Sequence, residues 1–242
     1  LSLPALRAAD GYLNNDPNHR DKTFFCFDEK HGHRAGEATA NGVLKLDREI
    51  AEAVKADGAK AALGFGFLDS QQAFYDGYSL NASEGEWAKR RYLDPFTPVI
   101  ARAEVRRARR DMNQALLNRF NIAFDLNFHG SQLKDYPHIA EYGRRIKALR
   151  ERYAAELWNA EFVERQGAQV NGPDLSYSVF AGRNGKRAVV VVNMGTERAS
   201  KAEVTLPGAS AMAYASPEDP AQKTFGGSVE IAPQSAVVIF EK

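Results

Sequence analysis

Residues 23–33 read Thr-Phe-Phe-Cys-Phe-Asp-Glu-Lys-His-Gly-His. An apolar run stops on two carboxylates, Asp28 and Glu29, and two imidazoles follow at His31 and His33. Side chains of these types can attack a carbon, move protons and hold hydroxyls. Another carboxylate, Asp69, follows the apolar run Ala61-Ala62-Leu63-Gly64-Phe65-Gly66-Phe67. Glycoside hydrolysis needs two carboxyl groups flanking one bond. One protonates the leaving oxygen; the other attacks the sugar carbon or activates water. A retaining enzyme holds the pair about 5–5.5 Å apart. Asp28 and Asp69 are the catalytic candidates on this basis. Neighbours on an extended chain point in opposite directions, so only one of Asp28 and Glu29 is expected to enter a shared site. The competing role for these two is a loop cap, or an ion pair with Lys30 or Arg34.

His31 and His33 lie two apart, on one side of an extended loop. They suit sugar hydroxyls, proton transfer or a metal. A metal needs a third ligand that the sequence does not identify, so no metal and no cofactor is expected. Tyr75 and Asp76 stand in Phe-Tyr-Asp-Gly-Tyr. A ring can stack on a sugar face and a carboxylate accepts from hydroxyls; a plain turn at Asp76–Gly77 is the alternative. Asn127 and His129 alternate with Asp125 beyond a short apolar run and extend the same set, or serve as loop residues bonded to local backbone. The glycines of Gly64-Phe65-Gly66 lack the lysine and the spacing of a phosphate loop.

Elements must position these groups. Before residue 160, short apolar runs alternate with helical patterns. Leu46, Ile50, Ala53 and Val54 recur at helical spacing and stop at Asp57–Gly58. A strand on either side makes a βαβ unit and implies a parallel sheet. Further helices are expected over about 101–120, with Val105, Ala108, Met112, Leu116 and Phe120 inward, and from about Pro137 to Trp158. Ile139, Tyr142, Ile146, Leu149, Tyr153 and Leu157 form the second stripe, and Asp135 sits where an N-terminal cap is useful. After residue 160, short alternating runs are separated by turn signals such as Asn184–Gly185 and Pro207–Gly208, the pattern of a small antiparallel sandwich. The valines 189–192 read as a strand covered on both faces.

The fold class is therefore α/β: a partial (β/α) barrel over residues 1–160, followed by an antiparallel β-sandwich over 161–242. The 242 residues carry a net charge of +1, which directs the chain to neither nucleic acid nor an anionic membrane. The arginines between 102 and 110 read as a solvated helix face. No run approaches the roughly 20 apolar residues of a membrane helix. The single cysteine, Cys26, excludes an internal disulfide.

The order of these features resembles the C-terminal part of an α-galactosidase-like glycoside hydrolase. Phe-Phe-Cys-Phe-Asp at 24–28, the strand and Asp at 61–69, and the helices at 111–120 and 148–158 carry the likeness, with Arg-Ala-Val-Val-Val-Val-Asn at 187–193 and the ending at 231–239. The resemblance implies a nucleophile at Asp28. It offers no clean match for the acid, because Phe65 stands where a carboxylate between two glycines would be persuasive, and Asp69 is the fallback. It also favours a secreted or periplasmic location. A full barrel takes about 250 residues. A missing N-terminal half or an oligomeric partner is therefore expected to complete this one. The expected function is retaining glycoside cleavage with a carbohydrate substrate. The rivals are a non-catalytic glycan-binding or assembly protein on the same scaffold, and a metal-dependent sugar isomerase using His31 and His33.

Overall fold

A computed structural model describes residues 25–26, 30, 37–58, 63–64, 74–80, 91–92, 95–126 and 132–242. The chain divides into two compact units, Leu1–Tyr78 and Ser79–Lys242.

In the first unit, β1 (Phe25–Cys26) pairs antiparallel with β2 (Glu37–Ala38), and α1 (Thr39–Ala56) follows directly. The helix ends as its sequence predicts. Gly58 takes a φ of 86°, and its N–H donates to the Lys55 carbonyl. Which face it buries differs from the expectation. Val54 is exposed and Leu46 and Ile50 are only half-buried, while Ala51 is buried. Asp47, Ala51 and Lys55 lie four apart on one line of the helix. Asp47 and Lys55 on that line both reach the segment at 74–76. Further on, β3 (Leu63–Gly64) runs parallel to β4 (Gly77–Leu80).

The second unit begins its described core with β5 (Val99–Glu104), α2 (Ala108–Leu117) and β6 (Asn121–Asp125), the two strands parallel. Residues 101–104, expected to be helical, form strand instead. Val99, Ala101 and Ala103 are buried, and Ile100, Arg102 and Glu104 alternate with them. Alanine and arginine favour helix in isolation, but a strand buried between β6 and α2 overrides that weak preference. Helix α3 (Pro137–Arg152) carries the expected stripe and ends at Arg152, not at Trp158. Tyr153 and Leu157 are buried beyond its end. Asp135 does not cap α3. It closes a 3₁₀ turn (Leu133–Asp135), accepting the Gln132 N–H at 2.8 Å.

The rest is antiparallel. The six-stranded sheet has the order β13 (Lys223–Thr224), β12 (Met212–Ala215), β15 (Ala236–Glu241), β10 (Arg187–Asn193), β9 (Leu175–Ala181), β7 (Glu161–Phe162). A three-stranded sheet has the order β14 (Ser228–Ile231), β11 (Ser200–Thr205), β8 (Gln169–Asn171). Central strand β10 explains the valine run. Val189 and Val191 join the apolar layer shared with β11 and β14, while Val190 and Val192 join the core formed with α2 and α3. Two-sided burial removes the need for alternation. The Asn184–Gly185 turn forms as read, with Gly185 at φ 77° and the Gly182 N–H donating to the Lys186 carbonyl.

Candidate functional site

Tyr75 and Asp76 are the sequence-selected residues that fall within the described part. They sit just before β4 and meet α1. The Tyr75 hydroxyl donates to Asp47 at 2.8 Å, and partial burial with that carboxylate pushes its pKa up. Asp76 pairs with Lys55 at 3.1 Å, and Lys55 also donates to the Phe74 carbonyl at 3.3 Å. Arg48 lies over the Phe74 ring, 5.1 Å from its centre. The segment is thus held by its own polar side chains, with Asp76 still about half exposed. Asp28, Glu29, His31, His33, Asp69, Asn127 and His129 lie outside the described residues.

The second unit presents two different faces of its β5–β6 pair. Ala103, Ile122 and Phe124 pack into the core with the helices. By strand alternation, Ile100, Arg102, Glu104 and Ala123 occupy the opposite face. Parallel register makes Arg102 the partner of Ala123, and Glu104 the partner of Asp125, at the C-terminal ends of the strands. That end is where α/β enzymes place their chemistry. Glu104 is exposed and pairs with Arg107 at 3.2 Å. Asp111, in the first turn of α2, accepts the Glu104 N–H at 3.0 Å and fixes the strand-to-helix link. Burial raises the Asp111 pKa, opposed by that N–H and by Arg107. Glu104 was missed because its segment reads as helix; the period-two burial of 99–103 is the signal that would have found it.

On the helix side, a buried polar latch joins α2 and α3 to the turn before β15. The Tyr142 hydroxyl donates to Asn113 Oδ1 at 2.5 Å, and Asn113 Nδ2 donates to the Gln234 carbonyl at 2.8 Å. Arg109 donates to the same carbonyl at 2.7 Å, pairs with Glu218, and lies 3.9 Å over the Tyr142 ring. Burial pushes the Tyr142 pKa up, so the hydroxyl keeps its proton.

Three buried arginines gather at the C-terminal end of α2, where helix carbonyls lack internal partners. Arg91 donates to the carbonyls of Asn118 (2.9 Å), Pro95 (3.0 Å), Thr97 (3.1 Å) and Arg119 (3.1 Å). Arg119 takes the left-handed position at φ 54° and donates to the carbonyls of Pro95 and Ala160. Arg150 donates to the Ala115 carbonyl at 2.6 Å and stacks over Trp158 at 5.1 Å. Its burial beside Arg91 pushes its pKa down to about 9, which leaves it charged near neutral pH. Arg150 was also missed. It follows Ile146 by four, so helical spacing puts a cation on an apolar stripe, a signal legible in the sequence. Among the described residues, no group of three His, Cys, Asp or Glu side chains is placed to hold a metal.

No family model matches this chain, and no curated protein does. Solved structures do. The GH27 β-L-arabinopyranosidase of Geobacillus stearothermophilus superposes with a TM-score of 0.54 at 11% identity, covering 81% of this chain and 53% of that one. A variant of that enzyme in complex with arabinose matches with a TM-score of 0.54 at 12% identity, covering 81% and 54%. The catalytic domain of GH30 xylanase C from Talaromyces cellulolyticus covers 87% of this chain and 60% of its own, with a TM-score of 0.42 at 12% identity. The chain spans about half the length of the arabinopyranosidase structures it matches. The fold is glycoside-hydrolase-like, a mixed helix-and-sheet scaffold with open sheets.

Proposed function

We propose that this chain is a carbohydrate-active protein that cleaves glycosidic bonds with retention, on a partial (β/α) barrel followed by an accessory β-sandwich. The observation that carries the reading is the likeness of fold to the GH27 arabinopyranosidase at a TM-score of 0.54. The α-galactosidase-like order of motifs in the sequence agrees with it, and the arabinose bound to a neighbour fits a carbohydrate ligand.

In this reading Asp28 attacks the anomeric carbon and forms a glycosyl ester. Asp69 protonates the departing oxygen, then removes a proton from the water that hydrolyses the ester. Glu29, His31, His33, Tyr75, Asp76, Asn127 and His129 hold sugar hydroxyls. A sugar presents several donors and acceptors, so paired carboxylates and imidazoles suit it better than an apolar pocket would.

The rival is glycan binding without turnover. It is favoured by the lack of a clean match for the acid, since Phe65 stands where a carboxylate between two glycines would be persuasive. Screening aryl glycosides of pentopyranoses and hexopyranoses for phenol release decides between the two. Turnover in the wild type that vanishes in Asp28→Asn, with unchanged circular dichroism, supports the enzyme. Turnover that survives Asp28→Asn removes Asp28 from the mechanism. Calorimetric binding of an oligosaccharide recovered intact supports the rival.

A further inference from the structure

Helix α3 and strand β6 enclose an open groove of about 820 Å³, on the helix side of the sheet, the face opposite Arg102 and Glu104. That volume lies within the range of about 300–1,000 Å³ typical of small-molecule sites. Ile122, Phe124 and Leu133 make its apolar walls, with the buried Ile146 behind them, and Trp158 stands in its lining. Gly143 shapes it. A Cβ there would come within 2.9 Å of Phe124 Cζ, so the glycine lets the ring lie against the helix.

The cations along this groove are not equivalent. Lys147 is paired with Glu151 at 2.6 Å and Arg144 with Glu141 at 3.3 Å. Arg150 has no carboxylate among the described residues. It is 9% exposed, and one of its N–H groups reaches the Ala115 carbonyl. A guanidinium carries five N–H donors. The helix-end carbonyl and the Trp158 ring offset part of the cost of burying it, but neither carries a full negative charge. Among the described residues, the charged group that acts on it is Arg91, another cation. Lys134, exposed in the same lining, has no carboxylate partner among the described residues either. A buried charge without a counter-ion is costly, and an anion that reaches it gains charge-assisted hydrogen bonds.

We propose that this groove binds a small amphipathic carboxylate, its anionic group on Arg150 and its apolar body along Ile122, Phe124 and Leu133. Apolar walls argue against a free sugar, whose hydroxyls would find few partners there. A single buried guanidinium without a glycine-rich loop does not suit a polyphosphate. The groove lies on the other face of the β5–β6 pair from Arg102 and Glu104.

The probes are 4-phenylbutanoate and its neutral counterpart 4-phenylbutan-1-ol. Binding to the wild-type chain is measured by calorimetry and located by amide NMR shifts. The anion is expected to bind about tenfold or more tightly than the alcohol. Shifts should concentrate at residues 122–124 and 143–150, and added salt should narrow the difference. Arg150→Gln is expected to abolish the preference, and Arg150→Lys to keep part of it. Equal binding of both probes, no binding at millimolar concentration, or shifts elsewhere would overturn the proposal. So would a preference that persists in a folded Arg150→Gln chain. Should that variant not fold, the wild-type preference and its NMR location decide alone.

Discussion

Tyr142→Phe tests the latch between the helices and the six-stranded sheet. The hydroxyl is buried, with Tyr142 4% exposed and Asn113 0% exposed. The Gln234 carbonyl can only accept, so the Asn113 amide nitrogen must face it, and Asn113 Oδ1 must face the tyrosine. Deleting the hydroxyl leaves that oxygen buried without its donor. An orphaned buried acceptor costs about 1–3 kcal/mol, against about 0.5–1.5 for the net worth of an ordinary hydrogen bond. A loss of about 2 kcal/mol should lower the melting temperature by about 4–8 °C in a chain of this size. Urea denaturation of the single variants and of the double variant Tyr142→Phe/Asn113→Leu closes a thermodynamic cycle. Asn113→Leu also removes the Asn113 Nδ2 bond to the Gln234 carbonyl, which keeps Arg109 as a donor. That loss is common to the Asn113→Leu single variant and the double variant, so the cycle isolates the Tyr142–Asn113 bond. The double variant should recover part of the single losses, with a coupling of about 1 kcal/mol or more. A loss below about 0.5 kcal/mol in Tyr142→Phe, or strictly additive losses, would refute the geometry.

Arg187 and Glu241 form a two-point pair at 2.9 and 3.1 Å that holds the Glu241 carboxyl below its ordinary range. A lowered folded pKa contributes stability above the unfolded value, lost as pH falls through the folded one. Glu241→Gln should therefore flatten the acid limb of a stability–pH curve and cost about 1 kcal/mol at neutral pH; an unchanged acid limb would contradict this. Asp111 has the opposite sign. Burial raises its pKa, so wild-type stability should decline as pH rises from the ordinary aspartate value through the raised one. Asp111→Asn keeps an acceptor for the Glu104 N–H and should remove that decline; denaturation midpoints across the window that still fall in the variant would refute it. Gly172 sits at φ 147°, with an added Cβ only 2.5 Å from the Lys201 carbonyl oxygen. Gly172→Ala should cost about 2 kcal/mol or more in urea denaturation, and a neutral effect would show that this turn can shift.

Periodicity carried much of the architecture. The stripe Ile139, Tyr142, Ile146 and Leu149 faces the core as its spacing predicts, because a helix longer than a few turns leaves no other way to bury those groups. Turn chemistry at Asn184–Gly185 and the valine run of β10 were equally legible, since both follow from local backbone and burial preferences. The segment 101–104 was not. Its residues favour helix in isolation, and only pairing with β6 made it a strand, which moved Arg102 and Glu104 onto a sheet face. The anchoring of Tyr75 and Asp76 was equally invisible, because Asp47 and Lys55 lie more than 20 residues away along the chain. Residue types alone selected Asp28, Asp69 and the neighbouring histidines as chemically able groups. Arg150 shows the division most clearly. Its place on an apolar stripe was readable from spacing, but its want of a counter-charge came only from packing, which put Ala115, Arg91 and Trp158 around it and no carboxylate among the described residues. Local sequence dictates which way a side chain faces. What it meets there depends on segments far away in the chain, and only the folded arrangement brings them together.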